Sequence, residues 1–179
     1  VEPNLSVRSG KTQAWVYPRR RDPVVATLRS VRCDARFRTV DVLWAVIQRA
    51  DVRRALQEVH RRGCRVRVVT TRDLIENWLE VPQRGADGAV LDLPDSRVRT
   101  YLIHDKVILI HARIGKSVKQ VTITGTSNAT CGGHSYNDEV MWRIEDQWVQ
   151  RTMRRHLEAI YKRAYNTKQT LVPTQAPCR

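Results

Sequence analysis

The chain has 179 residues, a length that predicts one domain with a substantial buried core. Its 32 Lys and Arg residues against 18 Asp and Glu residues give a net charge of +14, which favours a nucleic acid or an anionic lipid surface as partner. An Arg-rich surface that is only solvated is the alternative interpretation. No stretch approaches the ~18 apolar residues of a membrane-spanning helix, which excludes such a helix from this sequence.

The N-terminal part of the chain predicts a loose arm, a strand and a helix. Residues 1–11 are polar and lack any period, so we expect an arm. Residues 12–17 alternate as in a strand. Asp22 and Pro23 then form a typical helix start, with a capping carboxylate followed by proline, and apolar residues recur at helical spacing as far as residue 32.

A β-α-β unit is predicted next. Residues 37–48 form an apolar, β-branched run typical of a buried strand, and 64–70 form a second one. Between them, Asp51 is expected to cap a helix that ends at Gly63. Two strands joined by a helix predict a parallel pair with a right-handed connection. The apolar stripe of this helix comprises Val52, Ala55, Leu56 and Val59.

The C-terminal half predicts a short helix, a long loop, four strands and a closing helix. These elements span 73–81, 82–96, 98–103, 107–110, 121–124, 139–145 and 146–165, in that order. Residues 166–179 contain two prolines and are expected to be a disordered tail, which leaves 12–165 as the folded domain.

The four cysteines leave two interpretations open. They contain no C-x-x-C pair, which disfavours a zinc ribbon, and the histidines show no ligand spacing, so no metal is expected. Cys33 precedes one predicted strand and Cys64 opens the next, so the two could form a disulfide at one edge of the sheet. Such a disulfide would indicate an oxidising, extracytoplasmic compartment. Two buried free thiols are the alternative.

A group of polar residues clusters in the C-terminal half. His104 and Lys106 are two apart in a predicted strand, so their side chains should share one face. The strand 121–124 ends in a turn whose hydroxyls, amide and backbone N–H groups can bind an anion. A nucleophile, a cation and amide donors together predict a phosphodiester site. The turn consists of Gly125, Thr126, Ser127 and Asn128, and Glu139 follows it.

These residues resemble the HKD motif of the phospholipase D superfamily. His104 and Lys106 match its His and Lys, while Gly125, Thr126 and Asn128 match its Gly-Ser-x-Asn segment. Glu139 stands where many members carry an acidic residue, and the likeness extends over roughly residues 12–165. The resemblance implies an α/β fold, a phospholipase D-like mixed β-sheet flanked by helices on both faces.

The resemblance also implies a mechanism that needs no cofactor. His104 would attack phosphorus and form a phosphohistidine, and a second histidine would protonate the leaving oxygen. Lys106 and Asn128 would hold the non-bridging oxygens, and Glu139 would orient an imidazole. The turn residues Gly125, Thr126 and Ser127 would bind the substrate.

The chain departs from the family pattern at His111, which replaces the motif's Asp. We interpret His111 as structural and expect activity to be weakened. His134 is interpreted as a surface-loop residue, with a place in the pocket as the alternative.

The single motif implies a homodimer, the second half of a tandem enzyme, or an inactive half. The possible disulfide favours a phospholipid as substrate, whereas the positive net charge supports the alternative of a nuclease. A non-catalytic module that binds phosphate or nucleic acid is the alternative of another class.

Overall fold

A ten-stranded mixed sheet organises the computed structural model, which describes residues 5–34, 36–71 and 98–166. Its path runs β1-β2-β9-β8-β7-β4-β5-β6-β10, and β3 pairs with the end of β7. Only β4–β5 and β5–β6 are parallel among the described pairs. The strands are β1 (Ser6–Ser9), β2 (Thr12–Tyr17), β3 (Val31–Arg32), β4 (Arg38–Trp44), β5 (Arg65–Thr70), β6 (Val98–Thr100), β7 (Lys106–Ile114), β8 (Ser117–Gly125), β9 (Glu139–Ile144) and β10 (Tyr165–Asn166).

Helices cover both faces of the sheet, as the sequence predicts. Helices α1 (Pro23–Ser30) and α2 (Ala50–Arg61) share one core with the inward residues of the central strands, including Ile108 of β7. Helix α3 (Gln147–Arg163) lies on the other face, where Leu157 packs with Leu109 of the same strand. Because alternate side chains of β7 point to opposite faces, one apolar strand supplies both cores.

The helix boundaries confirm one predicted cap and correct another. Asp22 caps α1, since its carboxylate accepts a hydrogen bond of 2.8 Å from the backbone N–H of Val24. The prediction that Asp51 caps α2 was wrong, because the cap position belongs to Arg49. The backbone N–H of Arg49 instead donates to the carbonyl oxygen of Ala129, so a long-range contact determines where α2 begins. The predicted apolar stripe of α2 is buried throughout.

Several predicted boundaries shift, while others lie outside the described residues. Residues 6–9 form β1 and not a loose arm, because Gly10, with a φ of 53°, turns the chain into a hairpin with β2. The predicted strand 98–103 ends at Thr100, since Ile103 bonds with the side chain of Thr71. The predicted helix 73–81 and loop 82–96 lie outside the described residues, as does the tail beyond Asn166, which itself pairs in β10.

A disulfide joins Cys33 and Cys64, which confirms one of the two predicted alternatives. It links the segment after β3 to the start of β5, across a sequence separation of 31 residues. Cys131 is disulfide-bonded as well. Disulfides are typical of proteins that fold in oxidising compartments.

Replacing Cys33 and Cys64 together with Ala is expected to lower the free energy of unfolding by ~3–4 kcal/mol, because the unfolded chain regains the entropy of a closed loop. Urea unfolding followed by circular dichroism measures the change. An unchanged midpoint would show that the bridge adds no stability.

Candidate active site

The predicted site residues converge at one end of the sheet. Strand β7 begins at Lys106, β8 ends at Gly125 and β9 begins at Glu139. These strands are antiparallel neighbours, with Val107 opposite Thr124 and Gly125 opposite Met141. The start of β7, the end of β8 and the start of β9 therefore lie next to each other at the same end of the sheet.

The imidazole of His104 and the ammonium of Lys106 are in contact. Lys106 Nζ lies 3.2 Å from both ring nitrogens of His104 and donates a hydrogen bond of 2.8 Å to its carbonyl oxygen. The prediction that strand alternation aligns them was wrong, because β7 begins only at Lys106. The lysine side chain instead reaches back over the irregular residue that precedes the strand. His104 is exposed, whereas Lys106 is only 5% exposed.

Burial and nearby carboxylates act in opposite directions on Lys106. Burial lowers the pKa of its ammonium, while the negative charges of Glu139 and Asp105 raise it. The net pKa lies below the ordinary value. Glu139 is therefore near enough to act on this cation, which agrees with its position at the same edge. A partly desolvated ammonium next to an exposed imidazole is suited to hold a phosphoryl oxygen.

The turn after β8 is braced by its own hydroxyl groups. Thr126 exchanges two hydrogen bonds with the backbone of Val140, at 3.0 and 3.1 Å. The Ser127 hydroxyl is buried and donates to the carbonyl oxygen of Gly133 at 2.9 Å, while Trp44 Nε1 donates to the carbonyl oxygen of Ser127 at 3.0 Å. Ser127 thus supports the turn from inside, and the exposed Thr126 is the hydroxyl residue at its surface.

The carboxamide of Asn128 has unused hydrogen-bonding capacity. Its buried Oδ1 has no hydrogen-bond partner among the described residues. A buried polar atom without a partner costs free energy. The carboxamide of Asn128 therefore retains a hydrogen-bonding group that the described residues do not use.

Replacing Gly125 with Ala is expected to lower the free energy of unfolding by about 2 kcal/mol or more and to remove activity. The added methyl carbon would lie 2.1 Å from the carbonyl oxygen of Val140 and 2.8 Å from Met141 Cα, both in the backbone of β9. Gly132 is the matched control, since a methyl group there meets nothing closer than 3.7 Å. We expect Gly132→Ala to stay within ~0.5 kcal/mol of the wild type in urea unfolding; equal losses in both variants would contradict the argument.

A buried charged cluster next to this turn was not predicted. Arg49, 3% exposed, bridges Asp22 and Asp51, and Tyr17 donates from its hydroxyl to Asp22 at 3.1 Å. His134 lies against Tyr17, with ring centroids 5.7 Å apart. No sequence period connects these positions. Only the position of His134 shortly after the turn could have signalled that it belongs near the site.

The interpretation of His134 as a surface residue was wrong, because it is only 6% exposed. It lies in a π-helical turn, Gly132–Tyr136, whose Gly133 packs against Asn128. Burial, followed by the charge of Arg49, lowers the pKa of His134, while the carboxylates of Asp22 and Asp51 oppose this shift. The neutral form is therefore favoured in the fold.

His111 occupies the face of β7 opposite to the side chain of Lys106. Because side chains alternate along a strand, the side chain of His111 is on the same face of β7 as those of Val107 and Leu109. Its ring centroid is 5.1 Å from that of Phe37. Burial, followed by the charge of Arg154, lowers the pKa of His111. This placement agrees with its interpretation as a structural residue.

Neither a metal-binding cluster nor a membrane-spanning helix occurs among the described residues. No group of three or more His, Cys, Asp or Glu residues there could hold a metal ion. Within the same ranges, no helix has the length and apolarity needed to cross a bilayer.

The fold is that of a phospholipase D-like phosphodiesterase domain. Residues 33–161 match the family model described as the PLD-like domain of cardiolipin synthase. The chain belongs to the phospholipase D superfamily. No curated protein sequence matches it.

Solved structures with this fold come from several bacteria. NucT from Helicobacter pylori has a TM-score of 0.65 and 15% identity, with 88% of this chain and 99% of that chain covered. Nuc from Salmonella typhimurium, a phospholipase D family member, has a TM-score of 0.60 and 16% identity over 88% of this chain and 98% of its own. Phosphatidylserine synthase from Haemophilus influenzae has a TM-score of 0.52 and 11% identity, with 90% of this chain and 40% of that chain covered. At these identities the likeness establishes the fold.

Proposed function

We propose that the protein cleaves phosphodiesters through a phosphohistidine formed on His104. The observation that carries the proposal is the contact between the exposed imidazole of His104 and the partly desolvated ammonium of Lys106. Asn128 and Glu139 at the same edge complete the group. A neutral imidazole next to a phosphate-binding cation is the arrangement that attack on phosphorus requires.

The reaction has two steps. A ring nitrogen of His104 attacks phosphorus, the bond to the leaving oxygen breaks, and the leaving alcohol takes a proton from a second imidazole. Water then attacks phosphorus and gives its proton to that second imidazole, and the phosphorus–nitrogen bond breaks. The products are an alcohol and a phosphomonoester, and His104 is regenerated. Lys106 and Asn128 bind the non-bridging oxygens while negative charge builds on them.

The second imidazole comes from another HKD unit, either a second copy of this chain or the other half of a tandem enzyme. Within the described residues, His134 is buried, His111 lies on the opposite face, and the imidazole of His156 on α3 is paired with the carboxylate of Asp105. Two apolar side chains flank the site: Leu102 is 77% exposed two residues before His104, and Tyr136 is 79% exposed three residues before Glu139. A partner that docks at this end of the sheet would cover both side chains.

Replacing Leu102 with Glu tests the assembly. If a second copy completes the site, the change is expected to shift the protein from dimer to monomer and to lower activity with it, because a buried carboxylate opposes docking. Size-exclusion chromatography with light scattering reports the mass of each active fraction. A wild-type monomer that turns over substrate would reject the need for a second unit.

Two substrate classes fit this chemistry. A phospholipid is favoured by the Cys33–Cys64 disulfide, because secreted phosphodiesterases require such bridges more often than cytosolic nucleases do. A nucleic acid is favoured by the net charge of +14. Cleavage of phosphatidylcholine vesicles and of plasmid DNA, compared at equal phosphodiester concentration, separates the two.

Trapping the covalent intermediate tests the mechanism. A bis-aryl phosphodiester is mixed with the enzyme, the reaction is quenched in alkali, and the peptides are analysed by mass spectrometry. The expected result is an aryl-phosphoryl adduct on His104 that acid removes and alkali preserves. Steady turnover with no adduct, or with an adduct on a different residue, would reject His104 as the nucleophile. Addition of a chelator is expected to leave the rate unchanged.

A further inference from the structure

The outer face of α3 carries a row of positive charges that the site chemistry does not use. Arg151, Arg155 and Lys162, the α3 basic stripe, are all exposed and lie on one side of the helix at spacings of four and seven residues. The opposite side of α3 is buried against the sheet through Leu157 and Ile160. The stripe therefore points away from the protein.

Ion pairing distinguishes this stripe from its neighbours on the helix. Arg154 pairs with Asp41 at 2.9 Å, and Glu158 pairs with Arg67 at 2.6 Å, so both residues serve the fold. Among the described residues, no carboxylate lies within ion-pair distance of the stripe. Like charges at a spacing of four, as at Arg151 and Arg155, repel each other and destabilise a helix. A bound polyanion would relieve this repulsion.

The stripe is connected to the candidate active site. His156, next to Arg155 on α3, contacts the carboxylate of Asp105 at 3.0 Å. Asp105 is the residue between His104 and Lys106. Helix α3 therefore contacts the segment that carries the candidate nucleophile.

The burial of the apolar face of α3 favours a strand over a bilayer as the partner. A helix that inserts into a membrane surface must expose its apolar face, whereas that of α3 is buried. Trp148, 68% exposed, precedes Arg151 by three residues and offers a ring on which a base can stack.

We propose that the α3 basic stripe binds the phosphate backbone of a single-stranded nucleic acid, one end of which enters the site at His104. The stripe spans ~16 Å, the length of eleven helical residues, which matches several consecutive phosphates. The inference deepens the proposed function, since it identifies the substrate class as nucleic acid, and it relies on that function only for cleavage.

Binding is measured on the His104→Ala protein, so that the result does not depend on turnover. The variant Arg151→Glu/Arg155→Glu/Lys162→Glu is compared with Arg29→Glu/Arg32→Glu/Arg61→Glu, which has the same charge change at exposed positions in α1, β3 and α2. Circular dichroism confirms folding of both. The ligand is a fluorescently labelled 20-nucleotide DNA strand, and the observable is its anisotropy at several salt concentrations.

The stripe variant is expected to weaken binding at least tenfold and to reduce the slope of log K against log salt by ~2, because each lost phosphate contact removes ~0.7 from that slope for single strands. The control variant should change the slope by less than half as much. Equal effects in both variants would overturn the proposal, since they would reflect net charge alone. Stripe-dependent binding to vesicles of anionic phospholipid, with no binding of the DNA strand, would also overturn it.

Discussion

Replacing His104 with Ala is expected to reduce turnover of a bis-aryl phosphodiester by at least ~10³-fold, as removal of a catalytic nucleophile commonly does. The side chain is exposed and in contact with Lys106, so the loss should come from chemistry and leave stability nearly unchanged. Turnover is followed by release of the coloured phenol, and urea unfolding verifies that the variant is folded.

The matched control for this experiment is His111→Ala. It removes the same side chain from the same segment, but from the face of β7 opposite to Lys106. We expect its rate to stay within ~3-fold of the wild type, since no reacting group is lost. Equal rates in His104→Ala and the wild type would reject catalysis by His104. Equal losses in both histidine variants would instead point to a general structural defect.

The largest expected loss of stability follows from replacing Arg49 with Met. Arg49 is 3% exposed, and its guanidinium pairs with Asp22 and Asp51, each at 2.5 Å. Without it, the carboxylates of Asp22 and Asp51 lose the cation that pairs with both of them. Removal of one partner from a buried ion pair typically costs ~3–5 kcal/mol, and we expect a loss in this range from urea unfolding.

A rescue variant separates loss of charge balance from loss of packing. In Arg49→Met/Asp22→Asn/Asp51→Asn the unbalanced carboxylates are gone, so more than half of the lost free energy of unfolding should return. Asn at position 22 can still cap α1. Arg62→Met serves as the control, because its pair with Glu58 is 31% and 37% exposed, and a loss below ~1 kcal/mol is expected. No recovery in the rescue variant would contradict the electrostatic explanation.

The two HKD segments and the helix periods could be predicted from sequence because each is a local pattern. His104 and Lys106 are two residues apart, and the turn from Gly125 to Asn128 is continuous, so both can be recognised without a fold. The stripe of α2 repeats at the spacing of one helical turn, and all of it is buried. Such patterns depend on residues within about four positions of each other.

The tertiary structure alone decided how these segments are supported. Asp22, Arg49 and His134 are far apart in the chain, and their burial together arises from the packing of α1, α2 and the turn after β8. The residues around Asp51 fit a helix cap. The backbone N–H of Arg49, however, donates to the carbonyl oxygen of Ala129, and the carboxylate of Asp51 pairs with the guanidinium of Arg49. Local sequence determined the chemistry of the site, whereas long-range desolvation and hydrogen bonding determined which polar side chains face solvent and which are buried.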